Sequence, residues 1–286
     1  MKPSPFLYHA PERVDEVVGL LGEYGDEAKA LAGGQSLVPM MSLRLASYPH
    51  IVDLRLVEGL GAVERVNGRV RVGAMVRQAT AERDATVATV PLLARAIPQI
   101  GHFQIRNRGT VGGSIAHADP AAELPAVAVA LDAEVEAAGP DGLRRIPATS
   151  FFESTWQTTL APEEIVTAVE FPVWTGRTGF AVAEVARRRG DFALVGAVVG
   201  VSVEGHDVRK AAIAMLGVGT TPVRCVEAEA ALLAGGVDVD LAEVGRAAVV
   251  GVDPTDDVHA SAAYRRHVAP AVVRRALARA LEEACS

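Results

Sequence analysis

Hydrophobic and polar positions along the chain fall into three textures. Phe6-Leu7-Tyr8 reads as a short strand, and Pro11-Glu12 then opens a helix in which Val14, Val17, Val18, Leu20 and Leu21 recur at helical spacing until Gly22 to Gly25 close it. Ala28 to Ala32 form a strand of small residues, Val38 to Leu45 a helix, and Ile51 to Leu54 the next strand. The first unit is therefore strand–helix–strand–helix–strand.

A different pattern follows. Asn67-Gly68 between Val63–Val66 and Val70–Val72 is a strong hairpin signal, since both residues tolerate positive φ. Thr80 to Asp84 and Val90 to Ile97 read as helices, the second ended by Pro98. Pro125 to Leu131 read as a helix or buried segment, Ala133 to Ala137 alternate as a strand, Pro140-Asp141-Gly142 is a turn, and Glu163 to Phe171 alternate again. A second, larger α+β unit thus ends near Pro172. Trp174 to Thr178 read as a linker. Beyond it, Phe180 to Ala186, Ala193 to Val203 and Val208 to Val218 are strand-like, with a tight connection at Gly205-His206-Asp207. Helices finish the chain at Val226–Leu233, Leu241–Val250 and Pro270–Ala284.

Two stretches break the alternation in the same way. Leu31-Ala32-Gly33-Gly34-Gln35-Ser36 and Thr110-Val111-Gly112-Gly113-Ser114 each place a glycine pair beside hydroxyl residues, ahead of an apolar run. Consecutive glycines expose backbone N–H groups to whatever lies against them, and Ser36, Thr110 and Ser114 add hydroxyl donors. Together the two loops suggest one anion site. A glycine pair is also an ordinary turn, and that reading stays open.

Composition narrows the class. At 286 residues, half of them hydrophobic and 22% charged, the chain can bury two or three cores. A formal charge of −7 argues against a nucleic-acid partner. No apolar run approaches the roughly 20 residues of a membrane span, and the N-terminus lacks a signal-peptide core, so the expectation is a soluble, cytoplasmic protein. Cys225 and Cys285 stand far apart, which leaves no disulfide framework, zinc motif or iron–sulfur motif. No Ser–His–Asp set, metal-ligand cluster or P-loop is present, so no catalytic side chain and no metal ligand is assigned, and the hard chemistry falls to a bound cofactor.

The motifs LAGGQSLVP (31–39), IVDL (51–54), QIRNRGTVGGSIAHADPAAELP (104–125), PEEIVTAVEFP (162–172) and RRGDFALVGAVV (188–199) resemble, in order, the FAD-binding medium subunit of molybdenum hydroxylases. That group holds carbon-monoxide dehydrogenase and relatives of xanthine dehydrogenase. TPVRCVEAE (221–229) and AYRRHV (263–268) resemble its separate C-terminal domain. The resemblance implies an α+β fold with a two-subdomain PCMH-type FAD-binding domain over residues 1–176, its subdomains about 1–57 and 58–176. A C-terminal α+β domain of antiparallel strands and helices follows over 177–286. It also implies a role as electron-transfer subunit. A small partner would carry [2Fe–2S] clusters, a large partner molybdopterin, and the assembly would be a dimer of heterotrimers. Electrons would pass from the clusters through FAD to an external acceptor.

By the same resemblance, Ala32, Gly33, Gly34, Gln35, Ser36, Thr110, Gly112, Gly113 and Ser114 wrap the FAD pyrophosphate. Asp119 and Glu123 hold the ribose and nearby groups, Ile100 lies near the flavin ring, and Ile165 and Val166 pack on the cofactor. Asp119 also reads as a helix-start residue, and Ile165 and Val166 as ordinary core. Gln35 stands where many relatives carry His; an amide cannot attack the flavin methyl carbon, so FAD is expected to be non-covalent. Ser114 replaces a common Asn, and Glu184 stands near a position where relatives carry Lys. His102 and His117 are candidate tuning or proton-relay groups, or simply hydrogen-bonded residues. Asp191 is either a motif residue near the flavin or a turn aspartate. The competing functions are a free-standing flavin oxidase or dehydrogenase of the same fold, which would turn over alone, and a binding module that has lost FAD, which would be colourless.

Overall fold

The computed structural model describes residues 2–286. Its first unit is a three-stranded parallel sheet in the order β1-β3-β2, made of β1 (Leu7–His9), α1 (Val14–Tyr24), β2 (Ala28–Leu31), α2 (Leu37–Ser42) and β3 (His50–Asp53). α1 buries Val17 and Leu21 against Val52 and Leu54, one face of the apolar spacing read from sequence.

The second unit is larger. Its strands are β4 (Val63–Val66), β5 (Arg69–Gly73), β6 (Glu134–Gly139), β7 (Gly142–Pro147), a small hairpin of β8 (Phe152–Ser154) and β9 (Gln157–Thr158), and β10 (Ile165–Pro172). The helices between are α3 (Gln78–Ala81), α4 (Pro91–Ala96), α5 (Phe103–Arg106), α6 (Val111–His117) and α7 (Glu123–Ala130). The main sheet is antiparallel, ordered β4-β5-β10-β6-β7. β10 departs from the alternation predicted for it: it is the central strand, and Ile165 to Phe171 are all buried. Its polar positions are buried with partners. Thr167 Oγ1 donates to Glu136 Oε1 at 2.7 Å, and the Glu170 carboxylate is reached by Arg145 at 2.8 Å and Arg69 at 3.7 Å. Those partners make burial of a charge tolerable.

The C-terminal unit is an antiparallel sheet of β11 (Arg177–Val185), β12 (Val195–Glu204), β13 (Asp207–Leu216) and β14 (Val223–Arg224), with α8 (Val226–Gly235), α9 (Leu241–Ala247) and α10 (Ala262–Cys285) on one face. α10 begins eight residues before the helix expected at Pro270. Ser261 caps it by accepting from Tyr264 N at 3.1 Å, and Pro270 sits inside it at the cost of one backbone bond. The other face of the sheet is covered as well: Phe180, Val198, Ala212, Ala214 and Leu216 share a core with α4, α7 and the main sheet. The stretch read as a linker is correspondingly anchored. Trp174 packs against Phe180 with ring centroids 5.4 Å apart, and Lys210 Nζ lies 4.0 Å over its ring. Arg224 spans the same boundary, donating to the carbonyls of Val129 at 2.7 Å and Ala130 at 2.8 Å. No helix is long and apolar enough to cross a membrane among the described residues.

Candidate functional site

The parallel sheet delivers the first glycine pair. β2 ends at Leu31, and the chain bends through Ala32 to Ser36 before α2 starts, at the carboxyl end of a parallel strand where α/β sheets carry their ligands. Gly34 takes φ +72°, a left-handed value that a side chain would strain. The N–H groups of Gly33, Gly34, Gln35 and Ser36 donate to no acceptor among the described residues, whereas those of Val38 and Met40 are taken by Gly34 and Ser36 carbonyls. Four successive free amides are what an anion nest requires. Gln35 folds back, its Nε2 donating to the Gly33 carbonyl at 3.0 Å.

The second glycine pair is not a loop. Thr110 caps α6, its Oγ1 accepting from Gly113 N at 3.0 Å, so Gly112 and Gly113 lie in the first helical turn. Their amides are already spent, Gly112 N donating to the Ala74 carbonyl at 2.9 Å. What these glycines provide is close approach: a Cβ on Gly112 would meet Ala74 Cα at 2.5 Å, and one on Gly113 would meet Thr110 Oγ1 at 2.7 Å and Ala32 Cβ at 3.2 Å. Gly33 is as tight in return, against Arg108 and Gly109. The two segments therefore touch, one presenting amides and the other leaving the space.

Between them runs a cleft of about 830 Å³, in the upper range for small-molecule sites. All fourteen residues expected at the cofactor line it: Ala32, Gly33, Gly34, Gln35, Ser36, Ile100, Thr110, Gly112, Gly113, Ser114, Asp119, Glu123, Ile165 and Val166. Ile165 and Val166 are also core residues, 3% and 4% exposed, so the two readings of them coincide. Asp119 does local work: Oδ1 accepts from Ala121 N at 2.9 Å and Oδ2 from Trp156 Nε1 at 3.3 Å, while the cap position of α7 falls to Ala122.

Several cleft residues escaped the sequence reading. Gln78 is buried, with Oε1 lacking any partner, and lines the wall beside Gly109. Trp156, on the β8–β9 hairpin, sits at φ +60° with its ring parallel to that of His117, centroids 6.2 Å apart. Phe192 reaches the cleft from the C-terminal unit, because a loop through Gly190 (φ +88°) packs on Gly101 and His102. No local pattern announces any of these, since each depends on a contact made far away in sequence. His102 is thereby the floor under that loop, and the exposed Asp191 lies in its turn, its N donating to the Arg188 carbonyl at 3.2 Å.

Charge in the cleft is unbalanced. Lys29 is its one Lys or Arg, against Asp26, Asp119, Glu123, Glu153 and Glu164, of which Glu164 is bonded to Arg144 at 2.6 Å and held below the usual carboxylate range by it. Burial lowers the His117 imidazole, favouring its neutral form. Burial first, and then the charge of Glu184, push Glu123 up to about 8. Glu184 is itself pushed up to about 7 by burial. The free amide nest, the apolar wall and a neutral acid on the floor fit a dinucleotide whose phosphates are bound by backbone rather than by cations.

Residues 4–174 match the FAD binding domain in molybdopterin dehydrogenase, and residues 180–280 the CO dehydrogenase flavoprotein C-terminal domain. The chain is similar to the 6-hydroxypseudooxynicotine dehydrogenase complex subunit alpha of Paenarthrobacter nicotinovorans, at 41% identity over 99% of this chain and 97% of that one. It is similar to the carbon monoxide dehydrogenase medium chain of Hydrogenophaga pseudoflava at 36% identity, covering 97% of each. Among solved structures, quinoline 2-oxidoreductase from Pseudomonas putida 86 superposes with a TM-score of 0.94 at 35% identity, over 100% of both chains.

Proposed function

Because the chain belongs to the FAD-binding medium subunits of the molybdopterin dehydrogenase family, we propose that it is the electron-transfer subunit of a three-part oxidoreductase. A small partner with [2Fe–2S] clusters delivers electrons, a large molybdopterin partner oxidises the substrate, and an external acceptor takes the electrons on. The observation that carries this reading is the run of four unengaged amides from Gly33 to Ser36, on residues that line one cleft together with Gly112 and Gly113.

When bound, FAD supplies a change from single-electron to paired-electron transfer. The chain's own residues position it. The amides of Gly33 to Ser36 would hold the pyrophosphate, Ile100, Ile165 and Val166 would form an apolar wall for the ring, and Asp119 and Glu123 would meet the ribose and nearby groups. Gln35 lacks a nucleophilic nitrogen, so the hold is non-covalent. Cys225 is buried and Cys285 lies at the far end of α10, which suits a subunit whose clusters are on a partner. The substrate is then chosen by the large partner. Relatives of this same subunit serve complexes named for a nicotine derivative, carbon monoxide and quinoline.

Affinity isolation of the chain from its native host tests the proposal. The expected result is two co-purifying chains, with molybdenum and iron in the preparation and flavin bound. Recovery of a solitary flavoprotein that oxidises its own substrate would overturn it.

A further inference from the structure

Glu184 belongs to the C-terminal half of the chain, yet its side chain is turned toward the other half. Alternation along β11 sends Ala181 and Ala183 to the core under α10, and Phe180 and Val182 to the core shared with α4 and α7. Glu184 continues the second set. Its partner across the ladder is Gly196, where a Cβ would lie 3.1 Å from Glu184 Cγ, so the bare glycine makes room for the carboxyl. Glu184 Oε1 is shut off from solvent and has no hydrogen-bond partner.

On the facing layer, α7 opens with Glu123, 4% exposed and lining the cleft floor. Gly217 N donates to the Pro120 carbonyl at 2.8 Å, tying the residues just before α7 to the end of β13. Among the described residues no cation answers either acid. Arg95 on α4 is bound to Glu283 at 2.6 Å and to the Phe180 carbonyl. Arg275 on α10 donates to the backbone carbonyl of Glu184 at 2.9 Å, from the opposite face of the strand. Arg265 is taken by Asp257 at 2.5 Å and by the carbonyls of Leu194 and Gly217. The facing segments of β12 and β13 bring only Gly196, Val198, Ala214 and Leu216, and from the cleft side come His117, favoured neutral, and Asp119, which adds negative charge. Two buried carboxyls without a counter-charge cannot both ionise cheaply.

We infer that Glu184 is a positioning residue for Glu123, the second buried carboxyl at a boundary that offers no counter-charge, so that Glu123 meets an oxygen of the flavin dinucleotide from the cleft floor as a hydrogen-bond donor and not as an anion. The inference rests on the reading of the cleft as the FAD site. A carboxylic acid is a donor only while it keeps its proton, and a dinucleotide brings phosphate charge into a cleft already rich in acids. Ionising Glu123 therefore removes a donor and adds a repulsion at once. Glu184 thus contributes to the cofactor site without lining the cleft itself.

The full chain, freed of flavin, is titrated with FAD between pH 6 and pH 9.5 by quenching of flavin fluorescence. Affinity should hold to about pH 7 and then fall, approaching a tenfold loss for each pH unit above about 8, as expected for one required proton. Glu123→Gln keeps a donor in place and should bind at pH 9 nearly as tightly as at pH 6.5. Glu184→Gln removes the neighbouring charge, and the fall should begin at lower pH. Glu184→Leu gives the same shift by a second route, with circular dichroism reporting the fold of each variant. A flat profile in the parent, an unchanged profile in Glu123→Gln, or a parental midpoint in folded Glu184 variants would overturn the inference while leaving the FAD site intact. A parent chain that takes up no FAD at any pH would instead overturn the site, and this inference with it.

Discussion

Replacing Gly33 with Ala tests the contact between the two glycine segments with a single methyl group. The backbone of Gly33 is not left-handed, so the substitution adds volume rather than backbone strain. Its Cβ would meet the Arg108 carbonyl, with Gly109 Cα at 2.7 Å and Arg108 C at 3.0 Å. Carbon atoms rest about 3.5–4.0 Å apart, so the segments must part by about 1 Å, and the obstacle is backbone that cannot rotate away. Overpacking of this kind costs typically about 1–3 kcal/mol. Charged to binding at 1.4 kcal/mol per decade, that is a loss of about 5- to 150-fold in FAD affinity. The assay is fluorescence titration of the flavin-free chain, run beside thermal unfolding. Gly19→Ala is the control, since Gly19 lies in α1 with nothing within 4 Å of the added methyl, and helix propensity favours the change by about 0.5–1 kcal/mol. A Gly33→Ala chain that binds FAD within twofold of the parent refutes the clamp.

Three further outcomes are expected. Arg224→Met should destabilise the chain by about 2–3 kcal/mol in urea unfolding, because it strips the Val129 and Ala130 carbonyls of their partner and Glu229 of its counter-charge at a half-buried site; an unchanged midpoint would count against the bridge. Acid precipitation of the flavin-loaded protein should leave a colourless pellet under a yellow supernatant, and colour retained in the pellet would show a covalent bond that Gln35 cannot make. Glu184 is raised from 4.5 to about 7, so its acid form contributes stability that is present below about pH 4.5 and lost as pH rises toward 7. Glu184→Gln should accordingly be more stable than the parent at pH 8 and equal to it at pH 4.5, by urea unfolding at each pH.

What sequence reasoning reached and what it missed divide along a physical line. The βαβαβ start, the Asn67-Gly68 hairpin and the three long C-terminal strands follow from local spacing and turn chemistry, which one segment carries by itself. The fourteen cleft residues were legible through motif order, not through any local energy. β10 reads as alternating because Thr167 and Glu170 interrupt its apolar positions, and only Glu136, Arg69 and Arg145 from neighbouring strands explain why those two are buried. α10 runs through Pro270 because the remaining bonds of a long helix outweigh the one lost. β7 carries Leu143-Arg144-Arg145 as an exposed edge, with too little apolar signal to stand out. Trp156 owes its place to a left-handed backbone held by Ala118, whose carbonyl accepts its N–H at 3.2 Å, a pairing no spacing rule contains.

α7 has no polar side. All eight residues from Glu123 to Ala130 are buried, packed between α4 and α6 on the one hand and the C-terminal strands β12 and β13 on the other, the latter ending at Leu216, 86 residues after Ala130. At a synthesis rate of about 5–20 residues per second, the helix waits roughly 4–17 seconds with one flank uncovered. Emergence of the glycine segments from the ribosome is therefore not enough to complete the cleft. Its floor is set last, when the C-terminal sheet arrives, so a nascent first half is a species for chaperones to hold rather than a ready receptor for its cofactor.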